Sequence, residues 1–124
     1  MKTLLTALLL LGLSAAASSA ELYYFFDHKC GACQKFDREV GVHYSRTQEG
    51  QQAPIKKVEF QVWRQLDPKP YADVLAKPVF ATPTFVMVHE GKEVERLTGY
   101  SNDELFWLAM QHMLYRVEHT ADGE

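Results

Sequence analysis

The stretch Leu22-Tyr23-Tyr24-Phe25-Phe26-Asp27-His28-Lys29-Cys30-Gly31-Ala32-Cys33 decides how this chain is read. Its first five residues form an aromatic and aliphatic run, too short for a helix and suited to a buried central strand. Asp27-His28-Lys29 reads as a turn. From Cys30 the apolar positions become Cys33, Phe36 and Val40, at steps of three and four. Lys35, Asp37, Arg38 and Glu39 fall mostly outside, so this segment predicts a helix with one inward face, fading near Tyr44.

Cys30 and Cys33 are the only two cysteines in 124 residues. Thiols at this spacing can close a reversible disulfide without moving the backbone far. As a staple they would close a two-residue loop, which restrains the unfolded chain very little. The spacing therefore favours a working redox pair. Haem attachment needs a His directly after the second cysteine, and Gln34 stands there. Zinc normally takes four ligands, and no second cysteine pair exists. A Cu(I) site using Cys30, Cys33 and a His such as His28 is an alternative of another class.

A thiolate is the species that attacks a disulfide. Cys30 is expected at the helix start, where unpaired amides and the helix dipole favour negative charge. Lys29 adjoins it and His28 lies two residues back, so both are candidates for tuning its ionisation. Cys30, the exposed member, is expected to be the nucleophile. Cys33, one turn in and shielded, is expected to resolve the mixed disulfide.

Outward from this stretch, Glu49 to Pro54 reads as a polar connection. Ile55 to Trp63 alternates with strand period through Val58, Phe60 and Val62, which places Glu59 on the solvent side. Pro68 and Pro70 break the chain, and Tyr71 to Lys77 has room for a short helix ended by Pro78. Thr82-Pro83-Thr84 opens a strand through Val88. His89 to Lys92 turns, and Val94 to Leu97 returns antiparallel. Ser101 with Glu104 reads as a capping box for a final helix. That helix carries Leu105, Leu108, His112 and Tyr115 on one stripe and Phe106, Met110, Met113 and Val117 on its neighbour.

The order β-α-β-α-β-β-α gives an α/β domain. The first crossover demands parallel pairing, the last two strands form a hairpin, and a four-stranded mixed sheet flanked by helices follows. At the N-terminus, Lys2, the apolar run Leu4 to Leu13 and the small residues ending at Ala20 describe a secretory signal peptide. The run is shorter than the about 20 residues needed to span a bilayer. The expected organisation is a signal peptide over 1–20, one domain over 21–118 and a polar tail over 119–124. Without residues 1–20, 12 Lys and Arg stand against 16 Asp and Glu, a net charge of −4. Such mild acidity argues against a nucleic-acid partner. No long apolar segment is left over as a dimerisation arm, which points to a monomer.

The cysteine pair, Thr82-Pro83-Thr84 and Gly99-Tyr100 before the last helix resemble the periplasmic thioredoxin-like proteins. More narrowly, the chain is similar to the small thioredoxins of the bacterial sulfur-oxidising (Sox) system. Phe36-Asp37, Tyr44, Thr47-Gln48-Glu49-Gly50, Ala53-Pro54, Gly91-Lys92-Glu93-Val94 and Phe106-Trp107 carry that likeness. The resemblance implies a thioredoxin-like fold with a cis bond before Pro83, and a Thr82 backbone free to pair with an extended client. It implies an exported thiol–disulfide oxidoreductase with no cofactor beyond the Cys30–Cys33 disulfide and no metal. Its implied partners are proteins bearing a cysteine or disulfide, among them the Sox sulfur-carrier protein. A membrane thiol-electron transporter would supply electrons. A disulfide-donating oxidant, a Cu(I) chaperone and a non-catalytic module whose pair acts as a sensor are the other readings. Two departures stand out. Lys29 occupies the place of a Trp and Gly31-Ala32 replaces a Pro-containing pair. Tyr24 stands where the family has a buried acid.

Overall fold

In a computed structural model that describes residues 20–60 and 69–120, a four-stranded sheet carries the molecule. The strands are β1 (Ala20–Phe26), β2 (Ile55–Glu59), β3 (Thr84–His89) and β4 (Lys92–Thr98), in the spatial order β2-β1-β3-β4. β1 pairs with β2 in parallel and with β3 antiparallel, and β3 with β4 antiparallel. This is the mixed sheet expected from the element order. Glu90 and Gly91, both at positive φ, make the two-residue turn of the β3–β4 hairpin, the backbone that matches strand twist.

The unbroken apolar run of β1 has a simple cause: the strand is central and both its faces are covered. Leu22 and Tyr24 enter one core with Phe36, Val40, Tyr44, Phe85 and Met110. Tyr23 and Phe25 enter the other with Val58, Val79, Val86 and Val88. The first core is largely aromatic. The Tyr24 and Phe85 rings stack at 5.0 Å, and Phe36 stands edge-on to Tyr24 at 4.8 Å.

The helical elements are α1 (Gly31–Phe36), α2 (Gln48–Gln52), α3 (Lys69–Ala72) and α4 (Asp103–His119). Four of them depart from the sequence reading. The helix that begins after Cys30 is regular only to Phe36, continues as a π turn over Asp37–Gly41 and is followed by a 3-10 turn at Tyr44–Arg46. The wider turn, marked by the Val42 amide donating to the Asp37 carbonyl, lets Val40 and Tyr44 both reach the core. The polar stretch read as a connection contains α2, because Thr47 Oγ1 accepts from the Gly50 amide and caps it. Its residues show no apolar period, so only the cap betrays it. α3 begins earlier than expected and takes Pro70 into its first turn, where a missing amide costs nothing. The cap of α4 is Asn102, whose side chain accepts from the Leu105 amide at 2.9 Å, and not Ser101.

β2 ends at Glu59, so Phe60 leaves the strand; Val62, Trp63 and Pro68 lie outside the described residues. So do residues 1–19, which hold nearly all of the expected signal peptide, and the tail from residue 121. β1 already begins at Ala20, opposite His89. On α4, Phe106, Met110, Met113 and Val117 are buried, whereas Leu105, Leu108 and Tyr115 are exposed.

Candidate active site

The site grows from the end of β1. The Lys29 amide donates to Asp27 Oδ1 at 3.0 Å and the Cys30 amide to the Asp27 carbonyl at 3.1 Å, closing a tight turn. Cys30 then caps α1 in an extended conformation (φ −84°, ψ 110°), and its Sγ accepts from the Cys33 amide at 3.1 Å. A sulfur replaces the oxygen that usually fills this position, so the open first turn of the helix is directed at it. Cys30 and Cys33 are joined in a disulfide with their Cα atoms 5.2 Å apart. Cys30 is half-buried and Cys33 is 1% exposed. The two cysteines thus differ in access as expected.

The neighbouring candidates are placed less closely. His28 is exposed, and its Nε2 lies 3.3 Å from Glu59 Oε1 at the end of β2, with its ring edge-on to Phe26. Glu59 is half-buried and serves this pair rather than facing freely outward. The His28 carbonyl accepts from Gln34 Nε2 at 2.9 Å, tying the turn to the helix. Lys29 is exposed.

The second strip of the site precedes β3. The Thr82–Pro83 bond is cis. Pro83 is buried, and its carbonyl accepts from the Gly99 amide at 2.8 Å. Thr84 Oγ1 donates to the Ala81 carbonyl at 2.7 Å. Thr84 pairs with Phe25 in the sheet register, so this loop and the Asp27–Cys30 turn share one end of the sheet. Thr82 and Pro83 therefore stand at the same edge as the disulfide.

One network escaped the sequence reading. The buried Tyr24 hydroxyl lies 3.2 Å from the Cys33 carbonyl and 3.1 Å from Asp37 Oδ1, and its single proton is shared between these two acceptors. Burial, reinforced by the charge and hydrogen bond of Asp37, pushes the phenol well above its ordinary range, so it stays a neutral donor. Helical periodicity alone places Asp37 mostly outside. The signal that finds it is a tyrosine inside a buried strand, whose hydroxyl must have a partner. Tyr24, Asp37, Gly41 and Lys57 line a cavity of about 270 Å³ beside the helix. Lys57 Nζ sits over the Phe26 ring at 4.6 Å.

A half-exposed sulfur at a helix start joined to a shielded one on this sheet can do dithiol–disulfide exchange. Among the described residues, no group of three His, Cys, Asp or Glu could hold a metal ion. No described helix is long and apolar enough to cross a membrane.

Fold and site together define a thioredoxin-like thiol–disulfide oxidoreductase, with the Cys30–Cys33 disulfide as its redox-active group. The family model for the thioredoxin-like domain matches residues 14–114, and the chain belongs to that family. Among solved structures it is similar to the periplasmic thioredoxin SoxS of Paracoccus pantotrophus in its reduced form. The two are 32% identical over 79% of this chain and 98% of the other, with a TM-score of 0.69. Fasciola hepatica thioredoxin is 26% identical over 77% of this chain and 82% of its own, with a TM-score of 0.54. Oxidised thioredoxin from Plasmodium falciparum, at 20% identity over 77% of this chain and 83% of its own (TM-score 0.57), shares the fold. The curated proteins contain no match.

Proposed function

We propose that this protein is an exported, periplasmic thiol–disulfide reductase that keeps a cysteine of a partner protein reduced. The observation that carries the reading is the asymmetry of the pair: an accessible Cys30 sulfur receiving a helix amide, and a Cys33 sulfur shielded behind it. Likeness to a periplasmic SoxS thioredoxin supports export and a client in sulfur oxidation. The client proposed is the sulfur-carrier protein of a Sox system, and the electron source a membrane thiol-electron transporter.

The asymmetry of the pair supports the following steps. In the reduced protein the Cys30 thiolate attacks a client disulfide, forming a Cys30–client bond and releasing the other client sulfur as a thiolate. Cys33 then bonds to the Cys30 sulfur, and the second client sulfur leaves. The protein ends in the oxidised state described above and is reduced again by a dithiol donor. Lys29 and His28 tune Cys30 electrostatically, and the Thr82 backbone pairs with the extended client beside the disulfide.

Insulin reduction driven by a dithiol donor tests the reading. Activity should vanish in Cys30→Ser; survival there would overturn the assignment of the nucleophile. The equilibrium with glutathione fixes the direction, since a tenfold change in the equilibrium constant corresponds to about 30 mV. A strongly oxidising value would make the protein a disulfide donor instead. Stoichiometric tight Cu(I) binding that needs both cysteines would make it a metal chaperone.

A further inference from the structure

Resolution of the mixed disulfide requires the Cys33 thiol to lose a proton in a place water scarcely reaches. Cys33 is 1% exposed in the disulfide, which favours an acceptor within the protein over bulk water. Asp37 is one helical turn further on, and its amide donates to the Cys33 carbonyl. Side chains four apart on a helix share a face at about 5–6 Å between Cβ atoms. The Tyr24 hydroxyl, reaching from the central strand, holds Asp37 Oδ1 at 3.1 Å and the Cys33 carbonyl at 3.2 Å, which fixes carboxylate and cysteine in one frame. Asp37 also lines the cavity of about 270 Å³, from which a proton can return to solvent.

We propose that Asp37, held by Tyr24, is the proton-accepting group for Cys33 in the resolving step. The inference rests on the proposed roles of Cys30 and Cys33. In that step the Cys33 sulfur forms its bond to the Cys30 sulfur. The bond from Cys30 to the client breaks, its electron pair leaving on the client sulfur, and the Cys33 proton passes to the Asp37 carboxylate. Among the groups lining the cavity, Tyr24 from β1 and Lys57 from β2 are the other titratable ones. Tyr24 stays protonated. Lys57 is drawn over the rings of Phe26 and Tyr24. Asp37 is therefore the one anionic group among the residues lining this cavity, and Asp37→Asn removes it.

Single-turnover reduction of a chromogenic aromatic disulfide separates attack by Cys30 from resolution by Cys33. Asp37→Asn should leave the attack rate unchanged and slow resolution about a hundredfold at neutral pH. The variant's resolution should become steeply dependent on hydroxide, and Asp37→Glu should restore most of the rate. Unchanged resolution in Asp37→Asn would overturn the proposal. Loss of the attack step in that variant would instead strike at the assigned role of Cys30. If Asp37→Asn does not fold, carbon NMR of the reduced wild-type protein decides. The Asp37 carboxyl and the Cys33 Cβ resonances should each show the other's titration step, and independent titrations would overturn the idea.

Discussion

The Tyr24 hydroxyl and the Cys33 carbonyl, nine residues apart in sequence, meet at 3.2 Å inside the core. The central strand thereby holds the helix that carries the disulfide. Tyr24→Phe keeps the ring stack on Phe85 but leaves Asp37 with one partner fewer. The Cys33 carbonyl still receives the Asp37 amide, so the loss should be moderate, about 1–2 kcal/mol in urea unfolding. Tyr24→Phe should fold and keep its disulfide.

Arg96 and Glu93 form a nearly buried ion pair on β4, at 2.7 Å with side chains 10% and 7% exposed. Arg96 also donates to the carbonyls of Lys77 and Pro78, and Glu93 accepts from the Ala76 amide. The pair thus fastens the segment leading to Thr82 and Pro83. Arg96→Ala leaves the Glu93 carboxylate with the Ala76 amide and frees two carbonyls, and should cost about 1–3 kcal/mol in chemical denaturation.

The same pair predicts an acid dependence. Burial alone would raise the Glu93 carboxyl, but the hydrogen bonds from Arg96 and the Ala76 amide and the nearby cations outweigh it and hold the group below its ordinary range. A carboxyl lowered by folding contributes stability above its unfolded value and loses it as pH falls through the folded one. Stability should therefore decline below the ordinary carboxylate range. Glu93→Gln should flatten that acid limb in denaturation measured across pH.

A Cβ at Gly50 would collide with the Tyr44 carbonyl, which is backbone and cannot swing aside. Gly50→Ala should therefore lower stability by about 1–3 kcal/mol in thermal or chemical unfolding.

Asn102 and Ser101 make opposite predictions about the start of α4. Asn102→Ala removes the side chain that accepts from Leu105 and should cost about 1 kcal/mol. Ser101→Ala should change denaturation midpoints little, since the Ser101 contact to Lys35 uses its backbone carbonyl.

The central strand was legible as an unbroken apolar run, and the parallel crossover and hairpin from the order of elements and the turn residues between them. On α4 the period gave two apolar stripes, of which the structure buries Phe106, Met110, Met113 and Val117 and leaves Leu105, Leu108 and Tyr115 exposed. Cys30 and Cys33 were legible because their spacing excludes most other uses. What escaped was decided by single polar contacts. α2 depends on the Thr47 cap and on Gly50 fitting beneath Tyr44, and neither leaves an apolar period. Asp37 looked external because it is a charged residue at the margin of the Cys33–Phe36–Val40 face. The reach of Tyr24 from another strand gives its carboxylate an inward partner. Such a contact depends on strand–helix packing, which no local pattern encodes.

Alkylation of the fully reduced protein at neutral pH, mapped by mass spectrometry, tests the asymmetry of the pair most directly. Under limiting iodoacetamide the label should accumulate on Cys30 while Cys33 stays unmodified until the protein is unfolded. Labelling of Cys33 first, or of both at equal rates, would contradict the account.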